Sequence, residues 1–187
     1  GDRPMKKGVI YYTRVREEYA GEHLEHMIAE KLLETGLKKE YGINLKHEPR
    51  AEGEHGKPFL SWRPQIHYNV SHSGNYVVCI LADQEVGIDV QIHKKANYER
   101  MLERMVSPAQ RIEILEGEDP EKEFFRQWVL REAYIKWTGE GLSRNMRTIP
   151  MNEGTYALLD LDEGYSGAVW SMHPMEIIWR LEDIILG

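Results

Sequence analysis

Residues 124–142, FFRQWVLREAYIKWTGEGL, constrain the chain more than any other stretch, because they read as one long helix with a mixed face. Asp119 offers a capping side chain just upstream, and Pro120 suits the first helical turn, where its missing N–H costs nothing. Gly139 and Gly141 close the run, since glycine tolerates the left-handed backbone that ends helices. In between, Phe125, Trp128, Val129, Glu132, Ala133 and Lys136 recur three or four residues apart and share one face. An exposed Glu132–Lys136 pair would contribute only ~0.3–0.5 kcal/mol, and such pairs are common on helix surfaces. The apolar neighbours point instead to a core-facing stripe. There, two charges are costly unless a ligand or a metal satisfies them. The helix therefore carries half of a site, and a second element must supply the rest.

Several function classes are disfavoured before any fold is considered. A net charge of −7 argues against nonspecific nucleic-acid binding, though it leaves room for a local phosphate pocket. No apolar run is long enough to cross a bilayer and no secretory signature opens the chain, so no membrane partner and a cytoplasmic location are expected. Gly1 stands where methionine would, and residues before Met5 are set aside as an expression scar. Cys79 is the only cysteine, which excludes an internal disulfide. It lies in the apolar run YVVCIL and reads as a buried, inert thiol. At 187 residues the chain fits one domain or two small packed halves.

In chain order, residues 8–13 predict a first strand. Residues 18–33 predict a helix with Leu24, Met27, Ile28 and Leu32 as its stripe and Gly36 as its stop. Glu22, His23, Glu25 and His26 read as solvated helix polar residues, since no third metal ligand is evident. Residues 67–74, HYNVSHSG, are suited to holding a phosphate through Asn, Ser and His side chains; a polar turn that only holds the loop reads equally well. Residues 76–82 and 86–90 predict a hairpin through Asp83 and Gln84. Asp89 interrupts the second apolar run, and either a hard metal ion or a water-facing strand end would account for it. Short helices are expected at 98–105 and from Ser107-Pro108 onward, where Gln110 completes a capping box. Residues 155–161, 167–172 and 176–181 predict strands, with helix an alternative for the last. A helix ending in Gly-Leu at 36–37 and again at 141–142 hints at two similar halves.

The motifs Gly56-Lys57-Pro58, Asn69-Val70-Ser71-His72-Ser73, Gly87-Ile88-Asp89-Val90 and the segment from Trp128 to Leu142 occur here in one order. Together with Ala168-Val169 and His173-Pro174, they resemble the surfactin-synthetase type of 4′-phosphopantetheinyl transferase over roughly residues 56–174. The resemblance implies an α+β fold of two similar halves related by a pseudo-twofold, residues 5–90 and 91–187, with the active site in the cleft between them. It implies transfer of the phosphopantetheine arm of coenzyme A to a serine of an acyl or peptidyl carrier protein, releasing adenosine 3′,5′-bisphosphate, by a monomer. A degenerate relative that binds carrier protein or nucleotide without catalysis is the alternative. By matching motif, Asp89 and Glu132 would hold Mg²⁺ on the pyrophosphate, with Gln91 or water in a third position. Lys57, Ser71 and His72 would grip phosphates. Lys136 would stabilise charge on the leaving phosphate, and Glu132 is also the candidate base. Three departures stand out: Arg131 precedes Glu132 where lysine is common, Gln91 replaces an acidic residue, and Glu22 lies where a basic residue is usual. Helical spacing is expected to turn Arg131 away from the Glu132 face. A basic patch at Lys94, Lys95, Arg100 and Arg104 could receive an acidic carrier helix.

Overall fold

A computed structural model describes residues 5–187; residues 1–4, set aside above, lie outside the described residues. The class is α+β, as expected. The chain runs β1 (Lys6–Arg14), α1 (Glu25–Tyr41), β2 (Arg50–Glu52), β3 (Pro58–Leu60), β4 (His67–Ser73), β5 (Tyr76–Ala82) and β6 (Val86–Ile92). It continues with α2 (Tyr98–Glu103), α3 (Pro108–Glu116), α4 (Pro120–Thr138), β7 (Thr155–Leu158), β8 (Tyr165–Ser171) and β9 (Met175–Leu181). A four-stranded sheet has the order β4-β5-β1-β9, a three-stranded sheet the order β6-β8-β7, and β2 and β3 form a separate hairpin.

The layers follow from strand periodicity. Every residue of β5 is buried, so the alternation that usually marks a half-exposed strand is missing and both of its faces must be covered. One face, Val77, Cys79 and Leu81, meets Ile28, Leu32, Leu33 and Leu37 of α1. The other, Val78, Ile80 and Ala82, meets Val86, Ile88 and Val90 of β6. On the far side of the second sheet, Val129, Ala133 and Trp137 of α4 cover Ala168 and Trp170 of β8. The order through the molecule is helix, sheet, sheet, helix. Cys79 is fully buried in this core, and burial drives its thiol pKa well up, which leaves it the inert group expected.

Several sequence expectations are corrected by this packing. The first helix neither starts at Glu18 nor stops at Gly36: residues 17–19 make a single 3-10 turn, and α1 runs on to a left-handed Gly42. Gly36 lies buried inside α1, where an added Cβ would stand 2.8 Å from Leu81 Cδ1 and 3.0 Å from Tyr11 Cδ2. It is a point of close approach between helix and sheet, not a terminator. The Gly-Leu echo therefore marks no shared helix end. Residues 67–73 are a strand, not a turn, and the hairpin joins β4 to β5. β6 does not pair with β5; Asp83, Gln84 and Glu85 carry it to the second sheet, where it runs antiparallel to β8. Residues 175–181 are extended and parallel to β1, which removes the helical alternative. A boundary at residue 90 falls inside β6, and β9 from the end of the chain completes the first sheet, so sheet membership does not follow a division at that residue. Among the described residues no group of three or more His, Cys, Asp or Glu could hold a metal, which includes Glu22, His23, Glu25 and His26.

The closest backbone approach at a glycine lies between β6 and α4. A Cβ on Gly87 would sit 2.2 Å from Ala133 O and 2.4 Å from Trp137 N, both helix backbone atoms that cannot step aside. Gly87→Ala is expected to lower stability by about 3 kcal/mol, at the upper end for overpacking, whereas Gly164→Ala, in open space, should cost about 1 kcal/mol. Urea unfolding of the two variants checks this.

Candidate active site

With Gly87 pressed against α4, strand periodicity places Asp89 and Gln91 on the same side of β6, while Val86, Ile88 and Val90 fill the inter-sheet core. Helix spacing places Glu132 and Lys136 beside Ala133, the residue that Gly87 meets. The strand and the helix thus bring Asp89, Glu132 and Lys136 into one electrostatic cluster. Asp89 is only 5% exposed. Its Oδ1 accepts from Ser71 Oγ at 3.4 Å and its Oδ2 from Gln91 Nε2 at 3.3 Å. Burial pushes the Asp89 pKa up to about 7; Lys136 opposes this, Glu132 adds to it, and the bonds from Gln91 and Ser71 oppose it further. Burial also raises Glu132, against the pull of Lys136. The Lys136 ammonium is depressed by burial and held up by Asp89 and Glu132. Its Nζ donates to Val70 O of the edge strand β4 at 2.5 Å, which spans the two sheets.

The other predicted residues divide. Lys57 Nζ donates to Glu85 Oε2 at 2.8 Å, Val86 O at 3.0 Å and Trp137 O at 3.2 Å. Those three bonds use all three ammonium donors and tie the loop before β3 to the start of β6 and the last turn of α4. Ser71 is buried and faces β6, whereas His72, next along the strand, is exposed on the opposite face. A cavity of about 290 Å³ between Lys57 and Lys136 is lined also by Gly56, Tyr68, Val70 and Gly139. It adjoins one of about 520 Å³ lined by His55, Phe59, His67 and Glu85, with which it shares Lys57, Tyr68 and Gly139. Glu132 lines a further cavity of about 680 Å³ together with Met101, Arg104, Trp128, Leu142 and Arg147.

Two features escaped the sequence reading. Arg131 is buried: it is 3% exposed, and its Nε donates to Met105 O at 2.9 Å while Nη1 donates to Gln127 Oε1 at 2.5 Å. It ties α4 to the segment following α2, on the flank of the helix beside Glu132. Helical spacing cannot reveal that the segment after α2 meets that flank. Asn69 and Ser73 also do structural work across the sheets; their alternation with Val70 and His72 was the available signal, obscured by a turn-like composition.

The donor set suits a hard divalent cation. Asp89 and Glu132 offer carboxylate oxygens, Gln91 lies beside Asp89, and no soft ligand intrudes. A carboxylate this deeply buried, facing another carboxylate and an ammonium, fits a site whose remaining positions are filled by substrate oxygens and water.

Comparison with known proteins places the chain in a family. Residues 85–174 match the model of the 4′-phosphopantetheinyl transferase superfamily. A 4′-phosphopantetheinyl transferase of Bacillus subtilis is 28% identical over 167 residues, covering 79% of this chain and 74% of that protein. The 4′-phosphopantetheinyl transferase Sfp of Bacillus subtilis strain 168 is 25% identical over 166 residues, with the same coverage. A Haemophilus influenzae protein provisionally named as such a transferase is 30% identical over 174 residues, covering 88% of this chain and 69% of its own. The chain belongs to the 4′-phosphopantetheinyl transferase superfamily, and its relatives include the surfactin-type enzymes that its motifs resemble.

A raised carboxyl pKa has a definite sign in stability. Between the ordinary aspartate range and pH 7, folded Asp89 keeps a proton that the unfolded chain releases. Its contribution is fully present below about pH 3.8 and is lost as the pH rises through about 7. Without divalent cations, Asp89→Asn is expected to be more stable than the wild type at pH 8, and the difference should shrink toward pH 4. Urea unfolding across that range measures it.

Proposed function

We propose that the chain transfers 4′-phosphopantetheine from coenzyme A to a serine hydroxyl of an apo acyl or peptidyl carrier protein, with adenosine 3′,5′-bisphosphate as the other product. The observation that carries this reading is the cluster of Asp89, Glu132 and Lys136 at the β6–α4 contact, in a chain of this superfamily. Nothing observed favours a non-catalytic relative. The two sheets, each carrying one long helix, are read as the two halves of a pseudo-twofold fold, with β6 and β9 exchanged relative to a division at residue 90. The substrate cleft is assigned to the groove where β4 of the first half faces α4 of the second. A monomer in a reducing cytoplasm fits a single buried cysteine and a site assembled from one chain.

Asp89 and Glu132 would hold Mg²⁺, with the Gln91 amide orienting Asp89 or giving way to water. When bound, the ion supplies neutralisation of pyrophosphate charge, the main requirement of phosphoryl transfer. The serine oxygen forms a bond to the pantetheine-side phosphorus as that phosphorus loses its bond to the bridging oxygen. The leaving adenosine 3′,5′-bisphosphate keeps that bond's electron pair, and the serine proton passes to Glu132 directly or through water. Burial raises the affinity of Glu132 for that proton, as a base requires. Lys136, held by Val70 O, neutralises charge on the departing phosphate. The cavity between Lys57 and Lys136 would take the nucleotide end. There a phosphate competes with Glu85 for Lys57, while exposed His72 offers a second contact at the strand edge.

The cavity beside Glu132 would receive the carrier. It combines Met101, Trp128, Leu142 and Met146 with Arg104, Arg144 and Arg147, a lining suited to an acidic helix with an apolar face. Arg104 belongs to the patch expected from sequence.

Purified protein with coenzyme A and Mg²⁺ should add one phosphopantetheine mass to an apo carrier, read by intact mass spectrometry across a panel of carriers. Glu132→Gln should slow the addition by about 10²-fold or more, with folding retained. Full modification by Glu132→Gln and Asp89→Ala would refute the assigned site. Charge reversal at Arg104 and Arg147 together should raise KM for the carrier about tenfold and leave KM for coenzyme A unchanged; steady-state kinetics with each substrate varied separates the two.

A further inference from the structure

Lys57 already has a full set of partners within the protein. Its Nζ donates to Glu85 Oε2 at 2.8 Å, Val86 O at 3.0 Å and Trp137 O at 3.2 Å, so a phosphate oxygen that joins it must replace one of them. Val86 O and Trp137 O are backbone atoms, at the start of β6 and in the last turn of α4, and neither can withdraw unless its element moves. The lysine stem is confined as well, since a Cβ on Gly139 would touch Lys57 Cδ at 3.5 Å. Glu85 is the partner able to leave: its side chain is 54% exposed, against 17% for Lys57.

A second partner waits for the displaced carboxylate. His67 Nδ1 lies 3.2 Å from Glu85 Oε1, the oxygen that Lys57 does not use. That bond holds the Glu85 carboxyl down to about 2, against burial and with help from Lys57, so the group is a full anion at neutral pH. Burial depresses the Lys57 ammonium, and Glu85 holds it up. Across the cavity of about 290 Å³ stands Lys136, on which Lys57 acts as a like charge. Two ammonium groups therefore border one cavity. Asp89 and Glu132 balance the first, and Glu85 balances the second. Glu85 thus supplies to Lys57 what a phosphate in that cavity would supply.

We propose that Glu85 is a displaceable internal counter-ion, which occupies the phosphate position on Lys57, yields it to the nucleotide by falling back on His67, and so lowers the affinity with which the bisphosphate product is retained. The proposal rests on the reading of Lys57 as a phosphate ligand. Glu54 is the matched control: it is exposed, lines the same larger cavity as Glu85, and is not among the bonded partners of Lys57.

The test measures affinity for adenosine 3′,5′-bisphosphate by calorimetry at one pH and ionic strength, in the presence of EDTA. Glu85→Gln keeps an oxygen for Lys57 but removes the competing charge. It should bind the bisphosphate about tenfold tighter, the worth of one hydrogen bond to a charged group. Glu54→Gln, with the same change in net charge, should move the affinity less than about twofold, as exposed charges do. His67→Phe should act in the opposite direction and weaken binding a few-fold, because the displaced carboxylate then has no second partner. In the Glu85→Gln background His67→Phe should have no effect. A general loosening of the site would weaken binding in both single variants. Unchanged or weaker binding in folded Glu85→Gln would overturn the proposal, and so would equal tightening in Glu54→Gln. A loss from His67→Phe that persists in the Glu85→Gln background would also overturn it, by making His67 a direct ligand. Those outcomes leave the phosphate role of Lys57 standing; wild-type protein that binds no bisphosphate would sink both.

Discussion

The backbone of α4 lies against the backbone of β6 at Gly87, and the site is assembled around that contact. Any side chain at this position would force the helix backbone outward. Asp89, two residues along the strand, would then draw away from Glu132 and Lys136 on the helix. Electrostatic coupling falls with distance and rises with exclusion of water, so a small displacement weakens the cluster twice. One residue without a side chain therefore governs how strongly three charged ones interact.

The cluster carries opposing demands. Two carboxylates and an ammonium share a poorly solvated space, which is unfavourable for the empty protein and favourable for a site that must take up a cation and a polyphosphate. The surrounding structure holds these groups where they are. Lys136 is tied to Val70 O, Asp89 to Ser71 and Gln91, and the helix itself to its neighbours through Arg131. Lys57 adds a tie at the other end, bridging the start of β6 and the last turn of α4. Strain of this kind concentrates at functional sites because neighbouring packing overrides it.

The seam between the sheets explains why polar residues occupy an otherwise apolar interior. Packed sheets generally meet through apolar side chains, and Val78, Ile80, Ile88 and Val90 do so here. Where the edge of β6 passes β4, its amides need acceptors, and hydrophobic residues have none to offer. Asn69, Ser71 and Ser73 meet that need. The same alternation that makes the segment look like a phosphate-binding turn is the one required to serve every second amide of a neighbouring strand.

Local chemistry alone determined much of this protein. Capping at Asp119, the stop at Gly139, the mixed helix face with Glu132 and Lys136, and the oddity of Asp89 in an apolar run were all legible, because each follows from side-chain type and spacing within one element. The motif order identified the family for the same reason. What the sequence left open depended on partners distant along the chain. Gly36 and Gly87 are small because of what approaches them; Arg131 is buried where the segment after α2 meets it. β6 leaves β5 because β8 offers it a ladder, and Ser71 turns inward because an unpaired amide and a carboxylate meet it there. Periodicity reports which face of an element is apolar. Only the folded chain decides what that face meets.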